Sequence, residues 1–189
     1  MHINNNMTQE QHFSSLCSKA SDINEHLPVL KQYTEKVKHV TEMGVRSVVS
    51  TFAFLAGKPT TLVSIDIQHP DRWGGSDNLK LAKQYADEAN IDFTFQLGDT
   101  RQITIEPTDF LFIDTWHVYE QCKAELDRHH DKVSTYIGFH DTTTFADRGE
   151  TSGHMGLWKA IEEFIAEHPE WKIDIRKTNN NGLTILKKQ

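Results

Sequence analysis

Apolar and polar positions alternate along this chain in two periods, one helical and one extended. Gln9 to Lys19 reads as a short helix. "DINEHLPVLKQYTEKV" opens on Asp22, a helix-capping type of residue, and carries Leu27, Leu30 and Tyr33 at helical spacing. "KHVTEMG" predicts a strand ending at Glu42 and Gly44, and "SVVSTFAFLAGKP" a helix stopped by Gly57 and Pro59. "TTLVSIDI" is β-rich and ends near Asp66. "SDNLKLAKQYADEAN" is helical, with Ser76 or Asp77 as its cap. "IDFTFQLGD" and "DFLFIDT" predict strands ending at Asp99 and Asp114. Val118 to His130 predicts a helix, "VSTYIGFHD" a strand ending at His140 and Asp141, and "GLWKAIEEFIAEHP" a helix closed by Pro169. "WKIDIRKT-NNNG-LTILKK" has the form of a β-hairpin with an Asn/Gly turn. Met1 to Thr8 is polar and expected to be loose.

Strands alternating with helices imply a mostly parallel sheet covered on both faces, and the closing hairpin adds one antiparallel strand. The expected fold class is therefore α/β, a three-layer Rossmann-like sandwich. With 189 residues, one domain is expected. Residues 1–36 form a helical extension against a core domain of residues 37–189. A hydrophobic share of 37% is that of a globular chain. The net charge of −7 argues against a general nucleic-acid binder. Cys17 and Cys122 share no short motif and read as reduced thiols of a cytoplasmic protein, not a disulfide framework or a zinc site. No apolar run could span a bilayer, and "MHINNNMTQEQ" lacks the apolar core of a signal peptide.

The candidate chemistry lies where the strands stop. Glu42, Asp66, Asp99, Asp114 and the pair His140–Asp141 each end a predicted strand. In an open α/β sheet ligands bind beyond the carboxyl ends of the strands, so these residues would share one crevice. A single strand-end Asp is ordinarily a turn residue; a row of them is harder to assign to turns. Gly44 allows a tight turn and a close backbone approach to a ligand. Asp66, about twenty residues further on, fits the acid that takes ribose hydroxyls. Asp99 is placed to accept from an adenine amino group, and equally fits a Gly-Asp turn. Asp114, His140 and Asp141 would set two carboxylates and an imidazole around a divalent cation. His117 has the chemistry of a base near neutral pH, although a lone histidine is more often a surface or capping residue.

Taken together these segments resemble the class I S-adenosylmethionine-dependent methyltransferases over Val37 to the C-terminus. The "EMG" turn resembles that superfamily's first motif, Asp66 its ribose-binding acid, "LGD" its adenine-side acid, and the hairpin its antiparallel strand. "FIDTWHVYEQCKAEL" and "YIGFHDT" resemble small O-methyltransferases of the methyltransferase domain 24 type. The resemblance implies strand order 3-2-1-4-5-7-6. It also implies S-adenosylmethionine held by Glu42, Gly44, Ser50, Thr51, Asp66, Asp99 and Asp114. Magnesium or another divalent cation would sit on Asp114, His140 and Asp141, with catalysis by His117, Asp114 and Asp141. Two positions depart from the pattern. Val48 stands at the motif's second glycine, where a β-branched residue does not easily take positive φ. Thr142 stands where an Asn ligand is common, and His140 could compensate.

The implied reaction is methyl transfer to a hydroxyl of a small molecule, a sugar first and a catechol second. The expected partners are that acceptor and a second copy in a homodimer, with no nucleic acid and no membrane. "TTTFADRGETSGHMG" would form a loop over the acceptor, the N-terminal helices would close the other side, and Trp116 or Trp158 could stack on a ring. The competing classes are a methyltransferase-like binding module without turnover, an NAD-dependent oxidoreductase, which lacks its G-x-G-x-x-G here, and, more remotely, a metal-dependent hydrolase.

Overall fold

The computed structural model describes residues 7–189; the start of the expected loose segment, residues 1–6, lies outside the described residues. The helices are α1 (Gln9–Ser18), α2 (Leu27–Thr34), α3 (Ser50–Gly57), α4 (Ser76–Ala89), α5 (Tyr119–His129) and α6 (Trp158–Glu167). The strands are β1 (His39–Met43), β2 (Thr61–Asp66), β3 (Asp92–Leu97), β4 (Thr108–Ile113), β5 (Val133–His140), β6 (Trp171–Lys177) and β7 (Leu183–Lys188). They form one seven-stranded sheet in the order β3-β2-β1-β4-β5-β7-β6. The pairs β1–β2, β2–β3, β1–β4 and β4–β5 are parallel, while β7 runs antiparallel to both β5 and β6. This is the Rossmann-like α/β sandwich that the alternating pattern predicts.

Successive side chains of a strand point to opposite faces of the sheet, and β4 displays this cleanly. Phe110 and Phe112 join a core with residues of α2, α3 and α4, including Leu30, Phe52, Phe54 and Tyr85. Leu111 and Ile113 join a second core with Leu126 of α5 and Ile161 and Phe164 of α6. Phe13 and Leu16 of α1 pack on the first of these cores. Among the described residues no helix is long and apolar enough to cross a membrane.

Several ends differ from expectation. Asp22 does not cap α2, which begins at Leu27 behind His26; its carboxylate instead pairs with Arg46 at 3.1 Å. Neither Ser76 nor Asp77 caps α4: Gly75 takes the cap position and the helix begins at Ser76. At the end of α3, Gly57 is still helical and Lys58 takes the left-handed turn, with φ 57°. The polar triplet Asn179–Asn181 does more than turn the β6–β7 hairpin. The Asn180 amide accepts from the Glu25 backbone N–H at 3.0 Å and donates to the Ser21 carbonyl at 2.8 Å. The Asn181 carbonyl accepts from the backbone N–H groups of Thr143 and Thr144. One turn thus ties the segment before α2 to the loop after β5.

Candidate active site

Two adjoining cavities open at the carboxyl end of the parallel strands. One, of about 270 Å³, is lined by Gly44, Asp66, Trp73, Asp99, Trp116 and Gln121 among others. The second, of about 390 Å³, is lined by Asp22, Ile23, Arg46, His117, Asp141 and Glu150 among others. Gly44 and Asp114 line both.

The loop after β1 separates them. Gly44 has φ +87°, and a Cβ there would collide with the Asp114 carbonyl, so only glycine lets β1 and β4 approach this closely. Arg46 and Val48 also lie at positive φ, 48° and 67°. The expectation that Val48 avoids the left-handed region is therefore overturned. The valine takes it with its side chain fully buried in the first core, and burial offsets the backbone cost. Asp66 holds the loop open: its Oδ2 accepts from the backbone N–H groups of Val45 and Arg46 at 2.8 and 2.9 Å, and its Oδ1 from Gln68 at 2.8 Å.

Glu42 lies beneath the loop, fully buried. Its carboxylate accepts from Ser50 Oγ, Ser64 Oγ and, at 2.8 Å, Thr51 Oγ1. Burial pushes its pKa up to about 7 against the pull of these hydroxyls. The hydroxyls expected to face a cofactor are thus turned inward onto Glu42, and neither Glu42 nor Thr51 lines either of these two cavities; Ser50 borders the second one. Asp99 does line the first cavity, but its side chain is gripped by its neighbour, with Arg101 Nη2 at 2.9 Å from Oδ2. The Arg101 hydrogen bond lowers the Asp99 pKa further than desolvation raises it.

At the ends of β4 and β5 the acids meet imidazoles. His117 Nε2 lies 3.2 Å from Asp114 Oδ1 and 2.9 Å from Asp141 Oδ2. His140 Nδ1 lies 3.5 Å from each of the same two oxygens. Asp114, His140 and Asp141 each offer a donor atom within 4.8 Å of the others. Asp141 holds the left-handed conformation, φ 59°, and its Oδ1 is buried with no partner among the described residues. A non-glycine residue in that region stores strain of a kind that clusters at functional sites. Burial favours the neutral forms here, yet pairing outweighs it. The hydrogen bonds and charge of Asp114 and Asp141 push His117 up to about 10, and His140 is likewise pushed up to about 10. Asp114 is held well below the usual carboxylate range by the same histidines, against its own burial.

Several residues of the site escaped the sequence reading. Glu150, on the loop after β5, holds His117 twice: its carboxylate meets Nδ1 at 3.1 Å and its backbone N–H donates to the His117 carbonyl at 3.0 Å. His117 also stacks on Phe145. His26 packs edge-on against His140, with ring centroids 5.4 Å apart, and burial and the charge of His140 push it down to about 4. Trp73 lines both cavities. Thr142 is no candidate ligand: it is fully buried and accepts from Thr184 Oγ1 at 3.0 Å. The spacing of Gln121 and Glu125, one helical turn apart on α5, was the one signal that could have drawn attention to that face.

A mostly parallel sheet closed by an antiparallel hairpin thus carries acid-lined cavities at its carboxyl edge. No protein-family model matches the chain, and no curated protein matches it. Solved structures do. A protein from Staphylococcus aureus assigned as a caffeoyl-CoA O-methyltransferase is 16% identical, with a TM-score of 0.67 over 98% of this chain and 94% of that one. An O-methyltransferase from Bacillus cereus in complex with SAH is 14% identical, with a TM-score of 0.61 over 96% and 90%. An SAH-bound methyltransferase from Podospora anserina is 16% identical, with a TM-score of 0.57 over 96% and 87%. The chain shares the fold of these enzymes; what its site does is argued from its own residues.

Proposed function

We propose that this protein is an S-adenosylmethionine-dependent O-methyltransferase that modifies a hydroxyl of a small molecule, a sugar before a catechol. The observation that carries the reading is Asp114. It lines both cavities, and it joins the turn at Gly44 to the cluster of His117, His140 and Asp141. Gly44, Asp66, Asp99 and Asp114 line the cavity proposed for the cofactor, while Glu42, Ser50 and Thr51 brace its loop from below. Bound there, S-adenosylmethionine supplies a methyl group already activated on a sulfonium.

The donor set fits a divalent cation: two carboxylates, one buried imidazole nitrogen and an unpartnered carboxylate oxygen on Asp141. Asp114, His140 and Asp141 would hold it, and a cation there would supply Lewis-acid chemistry that makes an acceptor hydroxyl easier to deprotonate. His117, expected to be a base near neutral pH, is held protonated there by Asp114 and Asp141. It would take the acceptor's proton at Nε2 only after losing its own as pH climbs toward 10, while Glu150 fixes the ring through Nδ1. Asp22, Ile23 and Glu150 wall the acceptor cavity. Holding the acceptor oxygen in line with the methyl group is the remaining task, and alignment of this kind supplies on the order of several kcal/mol.

The test is calorimetric titration with S-adenosylmethionine, followed by assay of S-adenosylhomocysteine release with sugar and catechol acceptors, with and without magnesium or manganese. Binding and acceptor-dependent release are expected. No heat with S-adenosylmethionine under either condition rejects the reading.

A further inference from the structure

Asp99, the acid expected to receive the purine amino group, is already saturated. Its Oδ1 accepts from the Arg101 backbone N–H at 2.9 Å and from Arg101 Nε at 3.1 Å. Its Oδ2 accepts from Arg101 Nη2 at 2.9 Å and Gln102 Nε2 at 3.0 Å. A carboxylate has about four lone-pair sites, and four donors fill them.

Another wall of the same cavity has the opposite arrangement. Glu125 of α5 is fully buried and accepts from Thr100 Oγ1, from Gln121 Nε2 at 2.7 Å and from Thr115 Oγ1 at 2.9 Å. Gln121 Nε2 also donates to Thr100 Oγ1 at 3.1 Å. Thr100, Thr115 and Gln121 all line the 270 Å³ cavity. A primary amide has two N–H groups, and both of these are spent inward. The carboxylate of Glu125 fixes which way the amide faces, so the carbonyl Oε1 is the atom Gln121 has left for a ligand. Thr100 and Thr115 spend their hydroxyl protons on Glu125 in the same way. This wall therefore accepts hydrogen bonds and offers none from these three side chains. It complements an amino group and opposes a carbonyl.

We infer that Gln121 Oε1, oriented by Glu125, reads the amino group of the cofactor's purine in place of Asp99. The inference rests on the S-adenosylmethionine reading above. Gln121 is the specificity-determining residue and Glu125 a positioning residue that does not touch the ligand. A site built to hydrogen-bond a ligand N–H discriminates against an analogue without it, because the buried partner is left unpaired.

Calorimetry with S-adenosylhomocysteine and with S-inosylhomocysteine, its 6-oxo counterpart, tests this. The wild-type protein is expected to prefer S-adenosylhomocysteine by about 10-fold or more, the worth of one well-placed hydrogen bond. Gln121→Met, close in length and unable to accept strongly, is expected to weaken S-adenosylhomocysteine alone and bring the ratio near one. Glu125→Gln frees the amide and is expected to reduce the ratio; a change that only loosened the fold would weaken both ligands alike. Equal affinity in the wild type overturns the inference, as does a wild-type ratio in Gln121→Met or, should that variant not fold, in Glu125→Gln. If neither ligand binds the wild-type protein, the proposed function falls and this inference with it. If both bind without discrimination, only the inference falls.

Discussion

The two halves of the sheet's carboxyl edge use their acids in opposite ways. At the ends of β1, β2 and β3, Glu42, Asp66 and Asp99 are engaged by hydroxyls, backbone N–H groups and a guanidinium of the same chain. At the ends of β4 and β5, Asp114 and Asp141 face two titratable imidazoles, and one oxygen of Asp141 has no partner among the described residues. The first set shapes a cavity; the second is the set proposed for chemistry. Residue type does not distinguish them. What separates them is the supply of donors around each one, and a buried carboxylate that has its donors contributes to the architecture.

One substitution in each half should break this contrast most visibly. Asp141→Ala is expected to lower methyl transfer by about 100-fold or more, a loss of the several kcal/mol that the proposed metal assistance would supply. Its affinity for S-adenosylhomocysteine should stay close to wild type by calorimetry, and an equal fall in both would place Asp141 with the architectural acids. Gly44→Ala attacks the other half. The new Cβ meets the Asp114 backbone at φ +87°, and a loss of about 3 kcal/mol is expected in urea unfolding. A variant as stable as the wild type would mean that β1 and β4 can move apart.

Glu42 gives a pH signature of comparable size. Its native pKa of about 7 exceeds the ordinary 4.5. Between these values the unfolded chain has released a proton that the native chain retains, so this group makes stability fall as pH rises from about 4.5 to about 7. The full effect is on the order of 3 kcal/mol. Glu42→Gln should flatten that fall, and unfolding curves collected across the range would detect a slope that persists. The imidazoles of the other half act at higher pH. His117 and His140 are raised by their carboxylates, so their contribution is complete below about 6.5 and is lost as pH climbs toward 10. Turnover of the metal-free protein should rise over the same interval as His117 loses its proton, and a rate flat from pH 7 to 10 would remove His117 as the base. The smallest expected effect is at Val48. Glycine there relieves roughly 1–3 kcal/mol of backbone strain but gives up a buried side chain worth a similar amount. Val48→Gly is therefore expected to cost only about 1 kcal/mol in urea unfolding, and a loss of 3 kcal/mol would mean that the valine sits at φ 67° with little strain.

The alternation of strands and helices and the row of strand-end acids were legible because they follow from period-two and period-3.6 patterning and from where strands stop, whereas the sheet order was implied by the resemblance to class I methyltransferases and not by periodicity. How each acid is used was not legible. Ser50, Thr51 and Ser64 converge on Glu42 from two different elements, and nothing local in the sequence brings them there. Asp99 and Arg101 are two residues apart, yet only the turn between β3 and β4 decides that the guanidinium folds back. His117 was visible as a candidate beside Asp114, whereas Glu150, thirty-three residues further on, is its neighbour only in the folded chain.

The clasp at Asn179–Asn181 also bears on how the molecule is assembled. Its bonds to Ser21 and Glu25 join positions 159 and 155 residues apart in the chain. Closing so long a loop comes late, after local contacts have formed. The β6–β7 turn must therefore have been synthesised before the segment carrying Asp22 and Ile23 can be pinned over the second cavity. The cavity proposed for the cofactor draws its lining from residues 44–121 and needs none of that hairpin. In the growing chain, the pocket proposed for the methyl donor can therefore have all its lining residues while the wall proposed for the acceptor still waits for β6 and β7.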